Sequence, residues 1–446
     1  MKEELLRYIE AHKEEAAKLL SEMIRCKPVN PCFDPNCSEH DVQELIKAKL
    51  ESLGCEVYEI PVDFKELEAY KYLPGYMPGS SDAVSFAGRP NLLARLPGTD
   101  PQHAHSVLLS GHCDVVGAAD ADEWEYPPFE GIVKDGIIHG RGATDMLGGL
   151  AAALFAMEAI VKCDARPKGD IWFNSMVCEE FGGTGTLATA DWMKKHNIAP
   201  DVVVMGEGTG ATMISLVCRA IAFADIIVKG RAGHLERTPG DFREGDSVDA
   251  IEKARYIMDA IDRLNADWRT RKDKDHPLLH DPCQVKVSMI KGGHHPSSYA
   301  GQCVISLDIQ SLPHEQNEQN LPMSVRAEVE DYLRRVCEAD PWLRENPVEI
   351  VWKLDADCCE IAPDHPFVKV LQKNVQDING GGRLSGMTFH YDGGWFGMLN
   401  GAPCVCYGPG DIFSAHRSNE ICEAWQLYDC AKALAAACSE WCSQEK

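Results

Sequence analysis

The chain has no apolar run long enough to cross a bilayer. Its amino terminus, M-K-E-E-L-L-R-Y-I-E-A-H-K-E-E, is charged and amphipathic and lacks the apolar centre of a secretion signal. Positive charge is scarce: 44 Lys and Arg face 69 Asp and Glu, a formal net charge of −25. That balance argues against nucleic acid and anionic membrane as partners. The 19 cysteines include no C-x-x-C pair, and Cys358 and Cys359 are adjacent, a spacing no zinc ribbon uses. Thiols in this pattern point to a reducing compartment, so a cytoplasmic location is expected. Cys113 and Cys178 abut His112 and Glu179, and each reads as a buried packing group. Internal repeats and low-complexity tracts are also missing.

What is present is a globular composition, 45% hydrophobic and 25% charged, over 446 residues. That length predicts two domains. Apolar spacing predicts helices over 5–24 and 41–53 and a strand over 55–62. Residues 63–88, rich in Gly, Pro, Ser and Tyr, read as a loop or insertion. Further strands are expected over 91–96, 106–109, 170–178 and 201–205. A buried helix, L-G-G-L-A-A-A-L-F-A-M-E-A-I, and a helix over 185–195 lie between them. From 211 the texture changes. Strands over 222–228, 284–290 and 303–309 flank a long helix over 247–264, which reads as a small α+β domain. After 321 helix and strand alternate again, ending in a helix over 424–438. The expected fold class is therefore α/β. A catalytic domain with a central sheet flanked by helices spans 1–211 and 321–446, and 212–320 is inserted into it.

The strand ends carry the chemistry. His112 lies in L-S-G-H-C-D, Asp145 in G-R-G-A-T-D-M, Glu179 and Glu180 in C-E-E-F-G-G-T-G, Glu207 in M-G-E-G-T and His416 in S-A-H-R. Sites in open α/β sheets form at the carboxyl ends of strands. Neutral imidazole mixed with carboxylate suits zinc, with manganese or cobalt possible. Paired metals turn water into a strong nucleophile at neutral pH, so hydrolysis of a carbon–nitrogen bond is expected. Asp145 is placed to bridge two ions. One of Glu179 and Glu180 can ligate while the other takes a proton. Asp114 is placed to accept the second ring N–H of His112. A lone histidine or glutamate pair is ordinarily solvated surface; the combination, with glycine-rich turns around its members, is not.

These segments resemble the two-metal family of acetylornithine deacetylase, succinyl-diaminopimelate desuccinylase, aminoacylase and the glutamate carboxypeptidases. The matching stretches are S-G-H-C-D-V-V, P-P-F-E-G-I-V-K-D-G-I-I-H-G-R-G-A-T-D-M, E-E-F-G-G-T-G-T-L-A, V-V-M-G-E-G-T, V-K-G-R-A-G-H, T-P-G-D and G-A-P-C-V-C-Y-G-P-G-D-I-F-S-A-H. The resemblance implies that His112 and Glu207 hold one metal and Glu180 and His416 the other, with Asp145 bridging. It makes Glu179 the general base and Asp114 the support of His112. It makes the inserted domain, 212–320, a lid that carries a homodimer contact, for which the strand over 222–228 offers an edge. His234 would reach the partner subunit's site and stabilise the oxyanion of the tetrahedral intermediate.

Two departures from the family bear on the substrate. Gln310 follows the strand C-V-I-S-L-D-I where relatives commonly carry arginine. H-Y-D-G-G-W replaces a D-A-R type segment and puts Gly394 at the second arginine. Such arginines grip carboxylates in bidentate pairs. Either a free α-carboxylate is not required, or Arg219, Arg231 or Arg417 substitutes. His294, His295, His390, Asp392 and Trp395 point to an unusual pocket for a neutral or aromatic group. The expected activity is hydrolysis of an N-acyl amino acid, a small peptide or a related small amide. The alternatives are removal of another nitrogen substituent, such as an aromatic amine or carbamoyl group, or an inactive binding protein on the same fold.

Overall fold

A computed structural model describes residues 1–70, 85–118 and 121–446. The chain divides into two compact units, Met1–Cys218 with Cys359–Met387 and Tyr391–Lys446, and Arg219–Cys358 with Thr388–His390.

The first unit is built on a mixed eight-stranded sheet. Its order is Glu56–Ile60, Asn91–Leu96, Ile171–Met176, Val107–His112, Val203–Met205, Cys404–Cys406, Met213–Cys218 and Arg383–Met387. Four adjacent strands, Ile171–Met176 through Cys404–Cys406, run parallel. Their carboxyl ends therefore open at one edge. The helix Leu147–Lys162 is buried along nearly its whole length, from Leu147 to Ile160. A Cβ on Gly149 would lie 2.0 Å from the Gly206 carbonyl oxygen, so the helix backbone packs directly against the turn before Glu207.

Some elements differ from the sequence reading. The helix expected over 5–24 is two helices, Lys2–Ala11 and Lys13–Arg25. His12 breaks it: its φ is −119°, its ring stacks on Tyr8 at 4.2 Å, and its Nδ1 lies 2.8 Å from the Tyr8 carbonyl oxygen. The loop expected over 63–88 begins with a short helix, Phe64–Leu67, capped by Asp63; its residues 71–84 lie outside the described residues. Among the described residues no helix is long and apolar enough to cross a membrane.

The second unit is a four-stranded antiparallel sheet in the order Val285–Gly292, Gln302–Ser311, Ala220–Lys229 and Glu349–Ala356. Alternate residues Ala220, Ala222, Ala224, Ile226 and Val228 are buried, as period-two geometry requires. The amphipathic helix Ala250–Trp268 buries Ala254, Ile257, Ile261 and Leu264. This unit starts later and ends later than the expected 212–320. Met213–Cys218 belongs to the large sheet, where it pairs with Arg383–Met387. Glu349–Ala356 pairs with Ala220–Lys229 and so joins the small one. Alternating helix and strand after 321 looks the same in either unit, and only the pairing tells them apart. The strand over 222–228, expected to offer an edge, is interior and paired on both sides. The edges are Glu349–Ala356 and Val285–Gly292, and the latter exposes Val287, Met289 and Ile290 by 39%, 55% and 49%.

Candidate metal centre

His112 is the last residue of its strand and is 1% exposed. Its Nδ1 is 2.9 Å from the backbone oxygen of Asp114. A carbonyl can only accept, so Nδ1 carries a proton, and Nε2 is the ring nitrogen turned to the carboxylates. That Nε2 is 3.0 Å from Asp145 Oδ1, 3.6 Å from Glu207 Oε1 and 3.7 Å from Glu179 Oε2. His416 Nε2 lies 3.3 Å from Asp145 Oδ2 and 3.0 Å from Glu180 Oε2. Asp145 thus turns one oxygen to each histidine. Two sets of ligand atoms result, His112–Asp145–Glu207 and Asp145–Glu180–His416, each within 4.8 Å. Ligands at zinc bond lengths in a tetrahedron sit about 3.3–3.6 Å apart, so both sets fit one divalent ion each with little movement. Glu180 Oε1 and Glu207 Oε2 are buried without a hydrogen-bond partner among the described residues. Such orphaned carboxylate oxygens fit a cation better than a finished protein interior.

The carboxylate of Asp114 is not the imidazole's hydrogen-bond partner, being 3.6 Å from His112 Nδ1. Instead it accepts from the backbone N–H groups of Glu179 at 3.1 Å and Glu180 at 3.2 Å, and from Asn30 Nδ2 at 2.8 Å. Asp114 therefore orients His112 through its main chain and fixes the glutamate turn through its side chain. Asn30 and Glu420 also belong to the centre, and neither has a sequence motif that would have marked it.

Burial pushes Glu180 up to about 7 and Glu207 up to about 8, with the Asp145 carboxylate adding to both. Glu179 is raised well above the usual range, by burial first and by Asp392, Glu180 and Glu207 next, against the pull of His112. Hydrogen bonds to Asp145 and Glu180 lift His416 to about 10. Burial also pushes Asp145 up, but hydrogen bonds from both histidines outweigh it and hold Asp145 down. The stability consequence has one sign. A raised carboxyl or imidazole contributes stability below its unfolded pKa and loses it as pH rises through its folded pKa. Glu180 and Glu207 lose theirs between about 4.5 and 8, and His416 between about 6.5 and 10. Asp145 has already given its contribution below that window. Metal-stripped protein should therefore melt at a falling temperature from pH 5.5 to 8.5, and divalent metal should restore most of the loss. A stripped protein equally stable at both pH values would contradict this charge balance.

Among the expected substrate residues, Asp392 lies beside Glu179, the two offering carboxylate oxygens within 4.8 Å of each other. Asp392 is buried and accepts from Thr186 Oγ1 at 2.6 Å. A Cβ on Gly183 would meet its Oδ1 at 2.7 Å, and Gly183 has φ +69°, so both the space and the backbone favour glycine there. Gln310 Oε1 accepts from Arg219 Nη1 and from the Gln284 N–H, each at 3.2 Å. His390 Nε2 is 3.0 Å from Asp357 Oδ1. His295 lies on an exposed turn and bonds Ser297. Trp395 is fully buried and meets Tyr70 edge-on, so it belongs to the core. His234 is in the second unit, on a two-residue strand paired with Ser298–Tyr299, with 63% of its side chain exposed. Cys113 and Cys178 are buried, as expected of packing groups.

An α/β fold whose parallel strands converge on two histidine–carboxylate sets defines a metal-dependent hydrolase of amide bonds. The chain belongs to peptidase family M20/M25/M40, whose profile matches residues 108–440. It is 30% identical over 461 residues to an N-formyl-4-amino-5-aminomethyl-2-methylpyrimidine deformylase of Halalkalibacterium halodurans, covering 100% of this chain and 98% of that protein. The deformylase of that name from Bacillus subtilis is 28% identical over 458 residues, covering 99% and 98%. A succinyl-diaminopimelate desuccinylase of Hahella chejuensis is 31% identical over 396 residues, covering 86% and 88%. Among solved structures, human carnosine dipeptidase 1 shares the fold with a TM-score of 0.70 at 17% identity, covering 100% of both chains. A di-peptidase from Saccharomyces cerevisiae does so at 0.74 and 16%, covering 100% of this chain and 99% of that one.

Proposed function

We propose that this enzyme removes a small acyl group, formyl first among the candidates, from the aminomethyl nitrogen of a neutral heteroaromatic amine. The observation that carries the reading is Gln310. It is neutral where the family resemblance implies an arginine, and its oxygen is already engaged by Arg219 and Gln284. A substrate without a carboxylate suits that position. The full-length likeness to two deformylases supports the same choice.

Two divalent ions, zinc by the donor set, would be held by His112, Asp145 and Glu207 and by Asp145, Glu180 and His416, and would supply water acidified enough to attack an amide at neutral pH. Glu179 takes the proton from that water and returns it to the departing amine nitrogen. Its burial raises its affinity for the proton in transit. Asp114 holds Glu179 and Glu180 by their backbone N–H groups. Metal analysis of reconstituted protein should give close to two ions per chain. A ratio near zero after zinc loading would sink the two-ion reading.

Release of formate from the N-formyl aminomethylpyrimidine tests the substrate, set against release of succinate from succinyl-diaminopimelate. A charged hydrogen bond gives about 1.5–3 kcal/mol and a neutral one about 1, so each lost arginine weakens a carboxylate substrate by roughly tenfold. The neutral formamide should therefore be preferred by at least that factor. One observation favours a second reading, an N-acyl amino acid. Arg219 is 3% exposed, and its Nε and Nη2 have no hydrogen-bond partner among the described residues. A buried guanidinium left so open can donate to a carboxylate. A matched pair, a free acid and its carboxamide, separates the two. Preference for the acid that vanishes in Arg219→Met assigns the grip to Arg219.

The proposed assembly is a homodimer joined along the exposed edge Val285–Gly292, whose apolar side chains and free backbone groups suit pairing with a second copy. A cytoplasmic location fits 19 cysteines that form no disulfide among the described residues.

A further inference from the structure

Glu420 follows His416 by four residues and is 1% exposed. Its Oε1 accepts from the Thr144 N–H at 2.9 Å and from the Asp145 N–H at 3.1 Å. Its Oε2 pairs with Nη1 of Arg141 at 2.5 Å, and Arg141 is 2% exposed. Arg141 also lies 5.2 Å over the Trp124 ring and reaches the Gly117 oxygen at 3.4 Å. Two more bonds run alongside. The Gly140 N–H donates to the Glu420 carbonyl at 3.0 Å, and Thr144 Oγ1 donates to the Ile421 carbonyl at 2.7 Å. Residues 140–145 are thus tied to the chain just beyond His416.

We infer that Glu420 is a positioning residue that sets the backbone of Asp145 and so aims its two oxygens at His112 and His416. Asp145 must satisfy both sets at once, so a small rotation of its backbone spoils one or the other. A carboxylate accepting two backbone N–H groups makes charge-assisted bonds about twice as strong as neutral ones. Arg141 holds that carboxylate in turn. The plainer alternative is a buried ion pair that serves stability alone. Removing one partner of such a pair leaves an unpaired buried charge, which is strongly destabilising by itself. The experiment must separate these effects. The inference rests on the two-ion reading, and the parent protein's metal uptake tests that reading independently.

The test is cobalt(II) titration against a competing chelator, with the cobalt absorption spectrum and the melting temperature of the metal-free chain recorded alongside. Glu420→Gln keeps the volume but turns an amide toward Arg141. Groups behind a ligand typically contribute 10–100-fold in metal affinity, and Glu420→Gln should weaken cobalt by about that factor and alter its spectrum. Glu420→Leu with Arg141→Leu removes both charges, so no unpaired charge remains. This double variant should regain melting temperature and still bind cobalt weakly. If it regains the parent's affinity and spectrum, Glu420 serves stability only and the inference is overturned. Should Glu420→Gln not fold, the double variant decides between the two roles. Parent-like binding in both variants overturns the role of Glu420 alone. A parent that takes up no cobalt sinks the two-ion reading, and this inference with it.

Discussion

Glu179→Gln should leave metal content near the parent's and cut turnover by about 10²–10⁴-fold, the usual contribution of a positioned general base. The glutamine has the same shape and keeps the backbone bond to Asp114, so the turn it shares with Glu180 should hold. It cannot take a proton. Glu179 Oε2 lies 3.7 Å from His112 Nε2, while Asp145 Oδ1 is nearer at 3.0 Å. Glu179 is absent from the His112 and His416 sets, and its own neighbours at ligand distance include Asp392. Removing its charge also removes repulsion from Glu180 and Glu207, which raise its proton affinity now. That relief makes metal loss the less expected outcome. Turnover within a few-fold of the parent would remove Glu179 from the role of base. Loss of one metal equivalent would instead make it a ligand.

The candidate site residues at strand ends were legible because each carries a local signal. His112, Glu179, Glu180 and Glu207 follow runs of buried β-forming residues, and glycine turns stand beside them. That pattern marks a strand's carboxyl end before any pairing is known. What sequence could not supply was the direction of a hydrogen bond. Asp114 sits two residues from His112, a spacing that suits a carboxylate partner. The turn instead presents the Asp114 carbonyl to the ring and leaves the carboxylate for Glu179 and Glu180. Glu420 resembles any glutamate near a chain end, since its partners lie far away in sequence. The border of the small unit is hidden for a similar reason. Glu349–Ala356 has an ordinary strand pattern, and its membership is fixed only by pairing with Ala220–Lys229. The break at His12 depends on one side chain folding back onto Tyr8.

Mixing two inactive variants should restore activity, if His234 acts in the partner's site. His234→Ala removes the proposed oxyanion group and leaves its own Glu179. Glu179→Ala removes the base and leaves its own His234. In a hybrid of the two chains, one site receives an intact Glu179 from its own chain and an intact His234 from the other. The second site has neither. Random exchange in a symmetric dimer makes half the dimers hybrid, so about a quarter of the parent's activity should return. What supports the trial is the exposure of His234, 63% of its side chain, on a short strand, where its Nδ1 accepts from the Glu236 N–H at 3.4 Å and lies 4.0 Å from the Glu236 carboxylate. An imidazole so placed is free to serve another chain, and one oxyanion donor contributes about 10²–10³-fold in turnover. The exchange needs a control. Substituting Ile290→Asp on the exposed edge strand puts a charge where the dimer contact is proposed. If that change yields monomers and abolishes the recovery, both the edge and the trans role are supported. If the mixture stays inactive while the dimers demonstrably exchange, His234 does not act across the interface. If the parent runs as a monomer and is active, the dimer is not needed for the chemistry at all.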